Sequence, residues 1–222
     1  MKKHILMIVT SAAVMTTSDK KTGIWLSEFA EPYIAFRSAG IEVTVASPLG
    51  GKAPVDGKSL NDISPAFRET LQRLEHTLKL EDVRDTARYD AVFLPGGHGT
   101  MFDLPGNTEL NRILRDMHAA GKIIAAVCHG PAGLTCARLD GGDSLVAGRR
   151  LTAFTNEEEK AVELEDDMPF LLESRLRGLG AKFIPGKNWE EHVEVDGTLI
   201  TGQNPQSAQR TADEVIRALG SR

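Results

Sequence analysis

The sequence is poor in cysteine and in aromatic residues and has no basic cluster, and each of these absences limits what the protein can be. Only 2 of its 222 residues are cysteines, which excludes the disulfide framework of a small secreted scaffold. Aromatic residues make up 5% of the chain and hydrophobic residues 41%, so the core must be built mainly from aliphatic side chains. The net charge is -5 and no basic cluster occurs, so neither a nucleic acid nor an anionic membrane is an expected partner.

Long apolar runs and cofactor motifs are missing as well. No run approaches the roughly 18 apolar residues of a membrane-spanning helix. The apolar run 5–9 follows a basic start, as in a signal peptide, but it is too short, and we interpret it as a first strand. No glycine-rich phosphate-binding motif and no HxxxH spacing occur, so neither a cofactor nor a metal is expected. Cys128 and Cys136 form no CxxC pair, and we expect a reducing, cytoplasmic compartment.

The chain does show a regular alternation of apolar runs with amphipathic stretches. It predicts an α/β fold with a doubly wound, mostly parallel sheet of the flavodoxin-like kind, in which residues 1–222 form one domain. Strands are expected at 4–10, 41–47, 89–94, 123–127, 150–154 and 182–185, and helices at 24–39, 64–79, 107–120, 156–162, 168–178 and 206–219. Val195-Asp196-Gly197-Thr198 predicts a tight hairpin between strands 192–195 and 198–201. Pro32 lies inside the first helix, where a proline costs about 3 kcal/mol, so we expect a kink or break there.

Cys128 comes at the most informative point of the chain. It directly follows the apolar run 123–127 and precedes His129-Gly130-Pro131, which we interpret as the start of a helix. A sharp strand-to-helix turn exposes a nucleophile, the helix N-terminus is expected to lower the thiol pKa, and the next backbone N–H can hold an oxyanion. The alternative is that Cys128 is a small buried residue of the core, as free cysteines often are.

Other polar residues fall at the same edge of the predicted sheet. Ligands of doubly wound sheets bind outside the carboxyl ends of the strands, which places Glu28, the Gly-Gly-His-Gly turn 96–99 and Cys128 near one another. The turn offers unhindered N–H groups for an oxyanion, although such turns are often only structural. By itself, Glu28 is better interpreted as a solvated helix charge. Adjacent side chains on a turn usually diverge, so spacing alone does not make His129 a base. The glutamates at 157–159 suit a helix start, and any one of them can instead orient a histidine.

Two motifs of the chain resemble the ThiJ/PfpI superfamily, also called class I glutamine amidotransferase-like. They are Ala125-Ala126-Val127-Cys128-His129-Gly130-Pro131 and Pro95-Gly96-Gly97-His98-Gly99-Thr100-Met101-Phe102-Asp103. Within that superfamily, segments 22–32, 151–159 and 193–207 are similar to the heat-shock-type chaperones that act as glutathione-independent glyoxalases. The likeness extends over nearly the whole chain, from residue 4 to residue 219.

The resemblance implies roles for individual residues. Cys128 would be the nucleophile, His129 its partner, and Glu28 the carboxylate that contacts the cysteine from the first helix. Glu159 matches the acidic member of the family's triad, with the register among the glutamates at 157–159 open by a place or two.

The resemblance also implies a reaction and its components. The N–H groups of Gly97 and His129 would form an oxyanion hole, and Gly97, His98 and Gly99 would bind the substrate, a small 2-oxoaldehyde. The implied activity is that of glyoxalase III, a lyase of the D-lactate dehydratase type, which converts methylglyoxal to lactate without a cofactor; protein deglycase activity is an expected addition. The alternatives are a cysteine amidase or peptidase of the PfpI type and a redox-sensitive stress chaperone in which Cys128 is a switch. The family commonly forms homodimers, so a homodimer is expected.

Overall fold

A mostly parallel sheet organises the computed structural model, which describes residues 2–61 and 63–220. The strands are β1 (His4–Ile8), β2 (Glu42–Ser47), β3 (Leu78–Lys79), β4 (Ala91–Leu94), β5 (Ile123–Val127), β6 (Arg150–Leu151), β7 (Lys182–Phe183), β8 (Val193–Asp196) and β9 (Leu199–Gly202). The α-helices are α1 (Leu26–Ser38), α2 (Pro65–Thr70), α3 (Thr100–Asp103), α4 (Thr108–Ala119), α5 (Asn156–Ala161), α6 (Leu172–Gly178) and α7 (Ala208–Gly220). Among the described residues, no helix is long and apolar enough to span a bilayer.

The strand order of the seven-stranded sheet, β3-β2-β1-β4-β5-β9-β8, reverses between β1 and β4. The first six strands of this order are parallel, and β6 and β7 form a separate pair. β8 pairs antiparallel with β9, with Val195 opposite Ile200, as the Asp-Gly turn predicts. The predicted doubly wound α/β fold with a late hairpin is confirmed. Such a reversal opens a crevice at the carboxyl ends of the strands, and Cys128 follows β5 at that edge.

Two apolar layers, one on each face of the sheet, form the core. Alternate residues of β1 belong to opposite layers: Leu6 and Ile8 lie in one, Ile5 and Met7 in the other, and all are 0% exposed. Helix α4 covers the first face, and α1 and α7 cover the second. Because both faces are covered, the central strands β4 and β5 are continuous apolar runs, and each fully buried aliphatic side chain contributes about 1.5–3 kcal/mol.

Helix α1 continues through Pro32, so the predicted break at this proline is wrong. Phe29 and Phe36, on either side of it, are both fully buried and pack in the same apolar layer. Burying these two side chains contributes more than the roughly 3 kcal/mol that an internal proline costs, so tertiary packing keeps the helix in one piece. Gly40 follows with a φ of +75°, as expected at the end of a helix.

The predicted helix 64–79 is wrong in its second half. Ser64 caps α2 as predicted, since its side chain accepts the Phe67 N–H, but the α-helix ends at Thr70. A 3₁₀ turn follows, and then β3 pairs with β2 as an edge strand. Two residues are too few to show the alternation of a strand, so the apolar spacing suggested a longer helix. The helix expected over 168–178 begins only at Leu172.

Candidate active site

Cys128 occupies a strained turn at the carboxyl end of β5. Its φ is +58°, in the left-handed region that costs a residue with a side chain about 1–2 kcal/mol. Hydrogen bonds fix the turn from both sides, because the Cys128 N–H donates to Gly202 O at 3.0 Å and its carbonyl accepts the Phe154 N–H at 2.9 Å. Gly130 is required nearby, since a Cβ there would lie 2.1 Å from Leu94 O. The backbone therefore presents the thiol in the geometry of a nucleophile elbow.

The electrostatic setting of the Cys128 thiol differs from the prediction. A 3₁₀ segment, Gly130–Cys136, follows the cysteine in place of the expected α-helix. The residue is 3% exposed, and burial, reinforced by the carboxyl group of Glu28, raises the pKa of the thiol well above its ordinary value. The predicted lowering of the thiol pKa is therefore wrong, because the short 3₁₀ segment offers little dipole and burial penalises the thiolate. Cys128 rests as a thiol and needs a base.

His129 lies where such a base is needed. Its Nδ1 is 3.3 Å from Cys128 Sγ, so these adjacent side chains converge, and its Nε2 is 2.7 Å from Glu159 Oε2. Burial and the neighbouring His98 lower the pKa of His129 against the opposing effect of Glu159. The imidazole is therefore neutral at pH 7. Because an ionised carboxylate can only accept, we assign the imidazole proton to Nε2, which leaves Nδ1 as an acceptor facing the thiol.

Glu159 joins two imidazoles. Its Oε1 is 2.9 Å from His98 Nε2, its Oε2 contacts His129, and the two histidine rings are 4.1 Å apart. Burial by itself raises the pKa of Glu159, but the charges and hydrogen bonds of His129 and His98 outweigh burial and hold the pKa well below its usual range. Of the glutamates at 157–159, Glu159 is the one that contacts His129.

Glu158 anchors the segments that surround the site. It forms a capping box with Thr155 at the start of α5. Its Oε1 also accepts the backbone N–H of Trp189 at 2.9 Å and a side-chain N–H of Asn204 at 2.9 Å. This buried carboxylate thus connects α5 with the loop before β8 and the loop after β9, a role that the acidic run alone did not reveal.

Glu28 is fully buried on α1, so the interpretation as a solvated helix charge is wrong. Its Oε2 accepts the Gly96 N–H at 2.9 Å, and its Oε1 has no hydrogen-bond partner within the described residues. Burial raises the pKa of Glu28 to about 8, against the lowering effects of Cys128 and Gly96. Glu28 is therefore a carboxylic acid at neutral pH, and it can give up or take back a proton beside the thiol.

The glycine-rich turn after β4 brings two of its three predicted residues to the site. Gly97 and His98 line the pocket around Cys128. Gly97 has a φ of +101°, and a Cβ there would lie 2.4 Å from Gly23 O, so only glycine fits. Within the described part of the chain no hydrogen bond uses the Gly97 N–H, which leaves it for an oxyanion. Gly99 donates its N–H to Gly23 O at 3.3 Å, and the structure does not bring it to the pocket.

The pocket around Cys128 has a volume of about 70 Å³ and aromatic walls. The ring of Phe154 lies 4.5 Å from that of His129 and 5.7 Å from that of Trp189, measured between centroids. Trp25 contributes a further wall. The space admits a molecule of a few heavy atoms.

His98, His129 and Glu159 are also the described residues that could hold a metal ion, with ligand atoms within 4.8 Å of one another. Two imidazoles and a carboxylate suit a divalent cation such as zinc. The three residues come from separate segments, so a search for HxxxH could not have found them. Both carboxylate oxygens lie within hydrogen-bond distance of imidazole nitrogens, an arrangement that also serves as a proton relay.

A family model, that of the DJ-1/PfpI family, matches residues 20–218. The chain belongs to the DJ-1/PfpI family. The glutathione-independent glyoxalase HSP31 of Saccharomyces cerevisiae is 32% identical to it over 98% of each chain. Among solved structures, glyoxalase III of Candida albicans has a TM-score of 0.89 at 31% identity and covers 97% of each chain. Rapid Encystment Protein 24 kDa of Francisella tularensis has a TM-score of 0.94 at 36% identity, covering 98% of this chain and 99% of that one.

Membership in the DJ-1/PfpI family confirms the resemblance carried by the two motifs. One contact of the site was nevertheless not predicted from the sequence. The contact between His98 and Glu159 joins residues 61 positions apart. A partial signal was present: β4 pairs with β5, with Leu94 opposite Ala126, so the turn after β4 must lie beside the elbow after β5. Which side chain contacts His98 at that position depends on where α5 packs. The spacing of residues in the sequence does not predict that packing.

Proposed function

We propose that this chain is a glutathione-independent glyoxalase that converts methylglyoxal to lactate without a cofactor. The observation that carries the proposal is a buried thiol, Cys128, with the acceptor nitrogen of His129 at 3.3 Å and protonated Glu28 beside it. These groups supply one nucleophile and two proton carriers. Relatives over nearly the full length bear the glyoxalase name, and the pocket volume of about 70 Å³ suits so small a substrate.

In the first step, Cys128 Sγ attacks the aldehyde carbon while His129 Nδ1 takes the thiol proton. A carbon–sulfur bond forms, and the electron pair of the carbonyl bond moves onto oxygen. The N–H groups of Gly97 and His129 stabilise this oxyanion. Glu28 then donates its proton to the oxygen, which gives a hemithioacetal and leaves Glu28 as a carboxylate.

In the second step, the Glu28 carboxylate removes the hydrogen of the former aldehyde carbon. The imidazolium of His129 protonates the neighbouring ketone oxygen, and an enediol forms. Glu28 returns a proton to the adjacent carbon, and loss of a hydroxyl proton to His129 leaves a lactate thioester on Cys128. Water hydrolyses the thioester, which releases lactate and restores the thiol. The net change is the addition of one water molecule to methylglyoxal.

Lactate formation in heavy water tests this function and its route together. With glutathione left out, we expect the protein to convert methylglyoxal to lactate that carries deuterium at C2, because Glu28 exchanges its proton with solvent during turnover. Chiral chromatography and mass spectrometry measure the enantiomer and the label. Absence of lactate would overturn the proposed function, whereas complete retention of the original hydrogen would contradict exchange of the Glu28 proton with solvent during turnover.

Acyl transfer is the alternative that the same side chains favour, because a cysteine, a histidine and a carboxylate also suit an amidase or peptidase. The small, aromatic-walled pocket supports a two- or three-carbon aldehyde over a peptide. Fluorogenic amide substrates distinguish the two classes. A kcat/KM for an amide above that for methylglyoxal would change the assignment from lyase to hydrolase.

We further propose a cytoplasmic homodimer with protein deglycase activity through the same attack by Cys128. Light scattering tests the assembly, and a mass near the 24.1 kDa of one chain would contradict it.

The alternative of a stress chaperone, in which Cys128 is only a redox switch, leads to a different pattern of activities from that of a glyoxalase. Suppression of aggregation would then survive Cys128→Ala, and the wild-type protein would turn over no aldehyde.

A further inference from the structure

A second cavity adjoins the pocket around Cys128. Its volume is about 340 Å³, and it shares Trp25, His98 and Val162 with that pocket. Methylglyoxal needs only the smaller space. These three side chains therefore lie between the two spaces, on the path that a longer tail would take from Cys128 into the second cavity.

The charge of the second cavity is opposite to that of the chain as a whole. Lys20, Lys21 and Lys58 line it together with one carboxylate, Asp56, whereas the chain carries a net charge of -5. Asp56 is itself buried, and its Oδ1 accepts the backbone N–H of Lys58 at 2.9 Å. The lining therefore keeps an excess of positive charge.

Two of these three lysines are available to an incoming anion. Lys20 is not, because its Nζ forms an ion pair with Asp167 at 2.5 Å. Within residues 2–61 and 63–220, Lys21 and Lys58 form no ion pair. Met15 and Leu164, which are 3% and 7% exposed, add apolar wall to the same cavity. The cavity thus combines an apolar surface with two ammonium groups that form no ion pair with the residues that the structure describes.

We propose that the enzyme accepts longer 2-oxoaldehydes that end in a carboxylate, with the stem in the second cavity and the carboxylate at Lys21 and Lys58. The proposal rests on the proposed function, because the aldehyde carbon must still reach Cys128. A short aliphatic stem matches the apolar wall at Met15 and Leu164. Lys21 and Lys58 are both exposed, so the carboxylate gains a modest, salt-dependent attraction from their two ammonium groups.

A matched pair of substrates tests the charge preference. In 4,5-dioxopentanoate a carboxylate replaces the terminal methyl group of 2-oxopentanal, and the reacting 2-oxoaldehyde is the same in both. We expect kcat/KM to be about three- to tenfold higher for 4,5-dioxopentanoate at low ionic strength, as expected for attraction over several ångströms. Equal values, or a preference for 2-oxopentanal, would overturn the proposal.

Charge reversal assigns the preference to particular residues. Lys21→Glu and Lys58→Glu should each abolish or invert the preference for 4,5-dioxopentanoate and leave methylglyoxal turnover unchanged. The matched control is Lys52→Glu, which makes the same change at an exposed lysine that pairs with Glu75 and does not line the cavity. If the preference for 4,5-dioxopentanoate survives both Lys21→Glu and Lys58→Glu, or if Lys52→Glu removes it equally, the charge of the cavity lysines does not determine the preference.

Protection of Cys128 from alkylation tests the site without turnover. The inert acid 4-oxopentanoate and its neutral counterpart 2-pentanone lack the aldehyde, and mass spectrometry follows iodoacetamide labelling of Cys128 in their presence. We expect 4-oxopentanoate to protect at severalfold lower concentration, and Lys21→Glu and Lys58→Glu to remove the difference. Equal protection would overturn the proposal even if methylglyoxal is a substrate. Selective protection without methylglyoxal turnover would support the anion site and contradict the glyoxalase function.

Discussion

Glu159→Gln removes the negative charge between two imidazoles and keeps the size of the side chain. In the wild-type site, the carboxylate oxygens lie 2.9 Å from His98 Nε2 and 2.7 Å from His129 Nε2. A carboxamide offers one oxygen and one NH₂ group, so one imidazole must then accept a hydrogen bond through Nε2. When that imidazole is His129, its proton moves to Nδ1, and Cys128 loses its base.

The size of the effect follows from two contributions. A hydrogen bond to an ionised group contributes about 1.5–3 kcal/mol, or roughly 10- to 150-fold. General-base catalysis contributes about 10²- to 10⁴-fold and is lost in the wrong tautomer. The two contributions overlap because both act through His129. We therefore expect kcat/KM for methylglyoxal to fall by about 10²- to 10⁴-fold.

Steady-state lactate formation measures this loss, and circular dichroism checks that the variant is folded. The matched control is Glu157→Gln, which makes the same change at an exposed position of α5 and should leave the rate unchanged. A folded Glu159→Gln variant with wild-type kcat/KM would refute the reasoning. In that case Glu159 would not set the tautomer of His129.

Three further predictions concern Glu28, Gly130 and His98. Because burial raises the pKa of Glu28 from 4.5 to about 8, the folded state holds its proton more tightly, and the free energy of unfolding falls as pH rises between those values. Urea titrations should show that Glu28→Gln lowers this slope by up to about 1.4 kcal/mol per pH unit; an unchanged slope would mean that Glu28 is ionised in the fold. Gly130→Ala places a methyl group 2.1 Å from a backbone carbonyl of β4, so urea unfolding should show a loss of at least about 3 kcal/mol in the free energy of unfolding. Gly57→Ala is the control, because open space surrounds Gly57, and it should leave the free energy of unfolding unchanged. Similar values for both variants would contradict the close packing at the elbow. His98→Gln removes the neighbouring imidazole that lowers the pKa of His129, so the acid limb of the kcat/KM profile should move to higher pH. An unmoved limb would exclude coupling between the two imidazoles.

Much of the fold could be predicted from the sequence because its elements have long, regular patterns. The buried runs of β1, β4 and β5 are apolar throughout, since both faces of the sheet are covered, and Asp196-Gly197 marks the hairpin. The errors occur where packing outweighs local preference. Pro32 remains inside a continuous helix, and β3 is an edge strand too short to have a pattern of its own.

The position of Cys128 in the candidate site was predictable, whereas its electrostatic setting was not. An apolar strand followed by Cys-His-Gly-Pro predicts an elbow, and the pairing of β4 with β5 brings the glycine-rich turn beside it. Burial, however, depends on how whole helices pack. Burial keeps Glu28 protonated, whereas the local pattern favoured a solvated charge. Burial also raises the pKa of the Cys128 thiol, whereas the local pattern favoured a stabilised thiolate.

A comparison of Cys128→Ser with Cys136→Ser tests the central claim most directly. Each variant loses one thiol, and Cys136 is half-buried in the 3₁₀ segment, outside the pocket lining, with its Sγ 3.1 Å from Gly133 O. The measurement is the rate of lactate formation from methylglyoxal without glutathione. We predict that Cys128→Ser loses at least about 10³-fold in rate, because a serine hydroxyl is a far weaker nucleophile, and that Cys136→Ser keeps the wild-type rate. Undiminished lactate formation by Cys128→Ser would contradict the account.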